Sequence, residues 1–386
     1  MGSSFVVLHH LELSFAPELQ GPTDAASPVL GPFSVLADGP LAVAIFFILS
    51  GIVLAAATES VTSHRSIGLT DLVLKRWLRL GLPIVAAGLV ILIIFSLAGD
   101  RAAEVGELTG SDWMRDLFPP AYQPHLLDII RETVIGAFVG PQTPLHDPVL
   151  WTIRVEFVGS ILVFALCLFI PGGRVRLTAC AISAAALFAT PAWLPNFCAL
   201  FALGVALHEL AAKPGRKPDS TRQPTRILGE AGTDILGLAL IFIGACVYPV
   251  LDLHASETVQ AIGTMADPLG HMSQWTARSF LVVGGVMLSP TAQCFLANRI
   301  SIFLGRISFG LYLLHIPLLW SVGGTFYIDM SAMIDRPASA AIASLIVVIC
   351  SCLAAAIFHR LIEVPSIRIA ARVSGLRLWL RQSAQT

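Results

Sequence analysis

Apolar residues run along this chain in long blocks. They show neither the alternation of a half-buried strand nor the one-sided stripe of a surface helix. The blocks cover approximately 41–58, 80–98, 149–170, 177–190, 193–210, 235–250, 277–290, 306–326 and 338–357. A hydrocarbon core about 30 Å thick needs roughly 20 helical residues to cross. Backbone N–H and C=O groups cannot go unpaired in lipid, so helix is the state these runs predict. A tenth, shorter apolar piece at 5–15 carries His9, His10 and Glu12. The pattern predicts an all-α, polytopic membrane protein with about ten transmembrane helices.

Composition sharpens this reading. Only 13% of the residues are charged and 55% are hydrophobic, whereas soluble domains carry about 25% charged residues. A formal net charge of −1 gives no electrostatic footprint for nucleic acid. If the first helix runs outward, the inside segments hold Arg65, Lys75, Arg76 and Arg79; Arg174 and Arg176; the basic residues of 213–226; Arg299 and Arg306; and the arginines of 360–381. The outside segments hold Arg101, Arg115, Arg131 and Arg336, while Arg154 and Arg278 fall within or beside apolar blocks. This positive-inside bias predicts a multi-pass protein of a plasma or inner membrane with both termini in the cytoplasm. No appended soluble domain or internal repeat is visible, so the expected organisation is one membrane domain over 1–366 and a basic cytoplasmic tail over 367–386.

Three non-spanning segments carry their own expectations. Residues 213–229 read as a basic cytoplasmic loop. Within the largest outside segment, 99–148, the stretch 126–138 reads as a short amphipathic helix able to rest on the membrane surface. The tail arginines at 368, 372, 377 and 381 fit a helix lying on the inner leaflet. The seven cysteines sit in or near apolar blocks without a Cys-x-x-Cys pair, so they read as small core residues. The opening Met-Gly-Ser-Ser has neither a basic n-region nor a cleavage site. An outward-running first helix needs another turn or two before Ser3, which points to a late start codon or an unusually short helix.

Ionisable groups within the bilayer are costly and mark functional sites. His9 and His10 lie on the first helix, and Arg154 and Glu156 lie early in the block that begins at Val149. Ser308, Tyr312 and His315 follow i, i+4, i+7 spacing, giving one polar stripe on an apolar helix. That stripe fits either an interhelical hydrogen bond or a substrate contact. Arg154 and Glu156 are two residues apart and point to different faces, so each needs its own partner. Lys75, Arg76 and Arg79 cluster at a helix mouth, as membrane anchors or as a phosphate-binding group. No metal-ligand spacing is present: His208-Glu209 lacks the second histidine of a zinc-binding helix.

Several segments then occur in a telling order: Val-Val-Leu-His-His (6–10), Phe-Phe-Ile-Leu-Ser-Gly (46–51), Lys-Arg-Trp-Leu-Arg-Leu-Gly-Leu-Pro (75–83), Leu-Trp-Thr-Ile-Arg-Val-Glu-Phe-Val-Gly-Ser (150–160), Gly-Arg-Ile-Ser-Phe-Gly-Leu-Tyr-Leu-Leu-His (305–315) and Ile-Glu-Val-Pro (362–365). The set resembles the acyltransferase 3 family of multi-spanning membrane acyltransferases over nearly the whole chain. Phe-Phe-Ile-Leu-Ser-Gly and Trp-Thr-x-x-x-Glu are its more specific parts, and the latter looks closer to the branch common in fungi. The resemblance implies an essential histidine at His10, with His9 as the alternate, a functional glutamate at Glu156, and donor-binding cations at Arg76 and Arg79, with Lys75 beside them. The family's arginine before the histidine would fall before Met1, which agrees with a truncated first helix. The family's histidine just before the Trp is missing, with Pro148, Val149 and Leu150 there and His146 displaced. Arg154 stands where an uncharged residue is usual.

The implied activity is transfer of an acetyl or other short acyl group from acyl-CoA to a hydroxyl of a carbohydrate, lipid or secondary metabolite. Acyl-CoA is then a donor substrate, and no cofactor is permanently bound. Histidine suits the base role near neutral pH, and a carboxylate can orient it. The alternative is a transporter or flippase of acyl groups or lipids without chemistry of its own, since intramembrane His, Glu and Arg also mark transport pathways. Transporters often show inverted repeats, and none is clear here.

Overall fold

The computed structural model describes residues 2–20, 38–62, 67–116, 125–140, 147–211, 229–247 and 272–372. Regular structure among them is helical throughout, without a strand. Among the described residues, six helices are long and apolar enough to span a bilayer: Gly39–Thr62, Leu69–Ala98, Pro148–Phe169, Trp193–Ala211, Arg299–Ser331 and Arg336–Arg372. A seventh candidate is the pair Gln274–Leu288 and Pro290–Leu296, bent by 96° at Ser289. The count is below the ten expected. The first helix, Gly2–Phe15, has 14 residues and Arg174–Phe188 has 15. At 1.5 Å per residue each reaches only about 21–23 Å, short of a 30 Å core. Ala231–Cys246 is also below spanning length. The 213–228 part of the basic loop and the tail beyond 372 lie outside the described residues.

The chain divides into two compact units. The first comprises Met1–Gly39, Lys75–Arg154 and Phe303–Leu376. Its core gathers Val7, Leu11 and Phe15 from the first helix, Val105 and Met114 from the 99–116 segment, and Ile307, Leu311, Trp320, Tyr327 and Val347 from the last two long helices. Pro317 lacks the N–H that would continue the helical ladder. Immediately beyond it, Leu319–Gly323 opens into a π turn. The Trp320 carbonyl in that turn accepts from the Arg101 backbone N–H at 3.0 Å.

The 126–138 stretch is helical as expected, with a π turn at Glu132–Gly136 between Leu126–Arg131 and Ala137–Val139. It packs lengthwise against the apolar half of Leu69–Ala98. A Cβ at Gly88 would meet Ile129 and Thr133, and one at Gly81 would touch Phe138.

The second unit comprises Pro40–Leu74, Val155–Ile302 and Arg377–Thr386. Its tightest crossing sets Gly51 of Gly39–Thr62 against Gly204 of Trp193–Ala211. A Cβ on either would run into backbone, the Phe201 carbonyl or the Ile48 carbonyl. Small residues at such a crossing let two apolar helices gain dispersion contacts that lipid cannot supply. At one end Arg176, buried, pairs with Glu59 and Glu209 and donates to the Ile170 carbonyl; His208 bonds Glu59 at 2.9 Å. The His208-Glu209 pair is thus engaged in an ion cluster that joins three helices.

Candidate active site

In the first unit, three elements converge on His10. The first helix presents it on the side away from the exposed Leu8, partly exposed itself. Ser14 Oγ donates to the His10 carbonyl at 2.6 Å, and Ser111 Oγ donates to the Leu13 carbonyl at 2.6 Å. The second bond docks the 111–116 segment on this helix and brings Trp113 over the imidazole. The two rings stack with centroids 5.1 Å apart and an interplanar angle of 20°. Trp113 in turn lies 6.1 Å from the fully buried Trp320.

The long helix Arg299–Leu318 supplies His315, 1% exposed. His315 Nδ1 donates to the carbonyls of Leu311 at 3.1 Å and Tyr312 at 2.8 Å. Its Nε2 lies 3.0 Å from His10 Nδ1. Tyr312 Oη donates to the Val149 carbonyl at 3.1 Å and accepts from Thr152 Oγ1 at 2.9 Å, tying this helix to the start of Trp151–Phe169. The polar stripe divides here. Tyr312 and His315 join the site, while Ser308 bonds its own helix through the Gly305 carbonyl.

The remaining candidates take separate places. His9 turns toward Gly39, where an added Cβ would come 2.6 Å from His9 Cδ2. Arg154 Nη1 donates to the Gly140 carbonyl at 3.0 Å. Arg76 is buried, Arg79 one turn on is exposed, and Lys75 lies half-buried between solvent and protein. Glu156 belongs to the second unit, 4% exposed, and its Oε1 accepts from Ser50 Oγ at 3.1 Å.

Four residues at these places escaped sequence reasoning. Ser50 is polar within an apolar run, which is a usable signal. Thr152 stands in the quoted Trp-Thr segment and carries the same hint. Trp113 lies in a polar connecting segment and gives no pattern that ties it to His10. Asp147 is fully buried and its Oδ1 accepts from the Val149 N–H at 3.3 Å. Its neighbours Pro148 and Val149 made it look like a loop residue. Chemically, the His10 constellation offers a partly exposed imidazole held by a stacked indole and a buried second imidazole, an arrangement suited to moving one proton.

Comparisons with known proteins agree with the ordered motifs. The acyltransferase 3 family model, described as an acyltransferase domain, matches residues 3–356. A protein of Phoma sp. named Acyltransferase R4 is 24% identical over 251 residues, covering 61% of this chain. The chain spans about half (53%) of the length of that relative. No solved structure matches.

Proposed function

Since the chain belongs to the acyltransferase 3 family, we propose that it transfers an acetyl or other short acyl group from acyl-CoA to a hydroxyl-bearing acceptor, a carbohydrate, lipid or secondary metabolite. The observation that carries this reading is the partly exposed His10, braced by Trp113 and by His315 at 3.0 Å. His10 is the general base that takes the acceptor hydroxyl proton. Glu156, held by Ser50, is assigned to electrostatic support of the transfer or to the acceptor's pose. Arg76 and Arg79, with Lys75, are assigned to the CoA phosphates. Arg79 is the exposed member, open to a ligand, and Arg76, one turn before it, is buried. The clustering of basic residues, Lys75, Arg76 and Arg79 among them, supports a cytoplasmic place for this donor end and for both termini.

The test uses the full-length protein in membranes with acetyl-CoA labelled in its acetyl group. Equal release of CoA thiol and of alkali-labile ester label is the expected result. Arg79→Ala raises the apparent KM for acetyl-CoA several-fold with a smaller effect on acceptor dependence. Relocation of an acyl compound across the membrane with no new ester would establish the transporter reading instead.

A further inference from the structure

Histidine has two ring nitrogens, and which one carries the proton decides whether the other can act as a base. The hydrogen bonds around His315 settle this for two residues in turn. Carbonyl oxygens only accept, so the bonds from His315 Nδ1 to the Leu311 and Tyr312 carbonyls place a proton on Nδ1. In neutral His315, Nε2 then holds a lone pair and accepts. The nitrogen facing it at 3.0 Å is His10 Nδ1, which must therefore be the donor. That leaves the lone pair of neutral His10 on Nε2.

The centroids of the two imidazoles lie 5.1 Å apart with planes tilted by 30°. This separation suits an edge-to-edge N–H···N contact, whereas the Trp113 indole covers a face of His10. Indole and imidazole together fix the ring's plane and its rotation within that plane.

We propose that His315 is the positioning residue that holds His10 in the tautomer protonated at Nδ1, with Nε2 as the base. This rests on the reading of His10 as the general base. His315 fills the place that a carboxylate takes in a serine-hydrolase triad, with a neutral ring in place of a charge. In the transfer, His10 Nε2 takes the acceptor hydroxyl proton as that oxygen bonds to the thioester carbonyl carbon. The carbon–sulfur bond then breaks, and the departing sulfur takes the proton from Nε2. His10 Nδ1 keeps its proton throughout, and His315 accepts from it in both states. The buried backbone carbonyls of Leu311 and Tyr312 hold His315 to one tautomer. Because that anchoring is made of main chain, the arrangement needs only the helix and the histidine.

The direct test is 15N NMR of the full chain in nanodiscs with 15N-labelled histidine, the His10 signals being identified by their loss in His10→Gln. The expected spectrum of neutral His10 shows a protonated Nδ1 and an unprotonated Nε2. His315→Leu keeps the site apolar and removes the acceptor. It should shift neutral His10 toward the Nε2–H tautomer and lower turnover of acetyl-CoA. Loss of the tautomer-fixing aspartate in a serine protease costs about 10,000-fold. A neutral acceptor adds no charge stabilisation, so a smaller loss, about 100-fold in kcat with KM little changed, is expected. His315→Gln supplies an amide oxygen as acceptor and should recover a large part of it.

An Nε2–H tautomer for His10 in the unmodified protein overturns the proposal. So does a folded His315→Leu protein with unchanged tautomer and turnover. The spectrum of the unmodified protein tests the tautomer by itself, so the proposal stays open to refutation even where His315→Leu folds poorly. An active His10→Ala protein would remove the base reading itself and leaves a distinct signature.

Discussion

Arg154 and Arg278 show how this chain accommodates charge beside apolar segments. Each gives a guanidinium N–H to the carbonyl of a glycine, Gly140 in one case and Gly244 in the other. Gly244 lies in the π turn Ile243–Val247, and Gly140 follows Ala137–Val139, so both carbonyls sit at interruptions of helical structure. In lipid such groups need a partner. Arg154 and Glu156 thus each have the separate partner that their two-residue spacing calls for, the Gly140 carbonyl and Ser50. Asp147 is the converse, a buried carboxyl whose Oδ2 has no hydrogen-bond partner among the described residues. Burial pushes it well above the usual carboxylate range, against the opposing pull of the Val149 N–H. The folded state then holds a proton that the unfolded chain releases at lower pH. Stability is present below the ordinary aspartate range and is lost as pH rises toward the folded value. Asp147→Asn imitates the protonated form and should remove that slope. Its thermal midpoint should match the parent's only in buffer below the ordinary aspartate range and exceed it increasingly as pH rises above that range, by roughly 2–4 °C for each ~1 kcal/mol gained. An equal pH slope in both proteins would show Asp147 to be ionised. His10 and Glu156 were readable as costly intramembrane groups. Their partners Trp113 and Ser50 were not singled out, because nothing in linear spacing links residues about 100 positions apart.

At the scale of elements, apolar blocks revealed where helices lie but not whether each is long enough to cross a bilayer. The block at 177–190 corresponds to Arg174–Phe188, and an apolar run alone does not distinguish a short helix from a full span. The π turns were invisible: Pro317 announces a break near 319–323, but no comparable mark precedes Glu132–Gly136. Glycine crossings are the feature most exposed to mutation. At Gly204 any side chain enters the space of the Ile48 carbonyl and Gly51 Cα. Overpacking of this kind costs about 1–3 kcal/mol, and here the obstacle is backbone, which cannot rotate away. Gly204→Leu should lower the thermal unfolding midpoint in detergent and the yield of folded protein. Gly305, with open space around its Cβ position, is the control: Gly305→Ala should leave both unchanged. Equal behaviour of the two variants would disprove the close crossing.

For the whole molecule, the low share of charged residues and the block pattern identified a helical membrane protein, and the ordered motifs identified its family. Among the described residues six or seven helices are long and apolar enough to cross a membrane, fewer than the ten expected, because not every apolar block forms a helix of spanning length. The central claim is that His10 is the base of acyl transfer, and turnover of His10→Ala tests it most directly. General base catalysis is typically worth about 100- to 10,000-fold. Full-length His10→Ala, shown to be folded, should release CoA thiol from acetyl-CoA slower by that factor, with His9→Ala close to the parent. Parent-like turnover in folded His10→Ala would contradict the account.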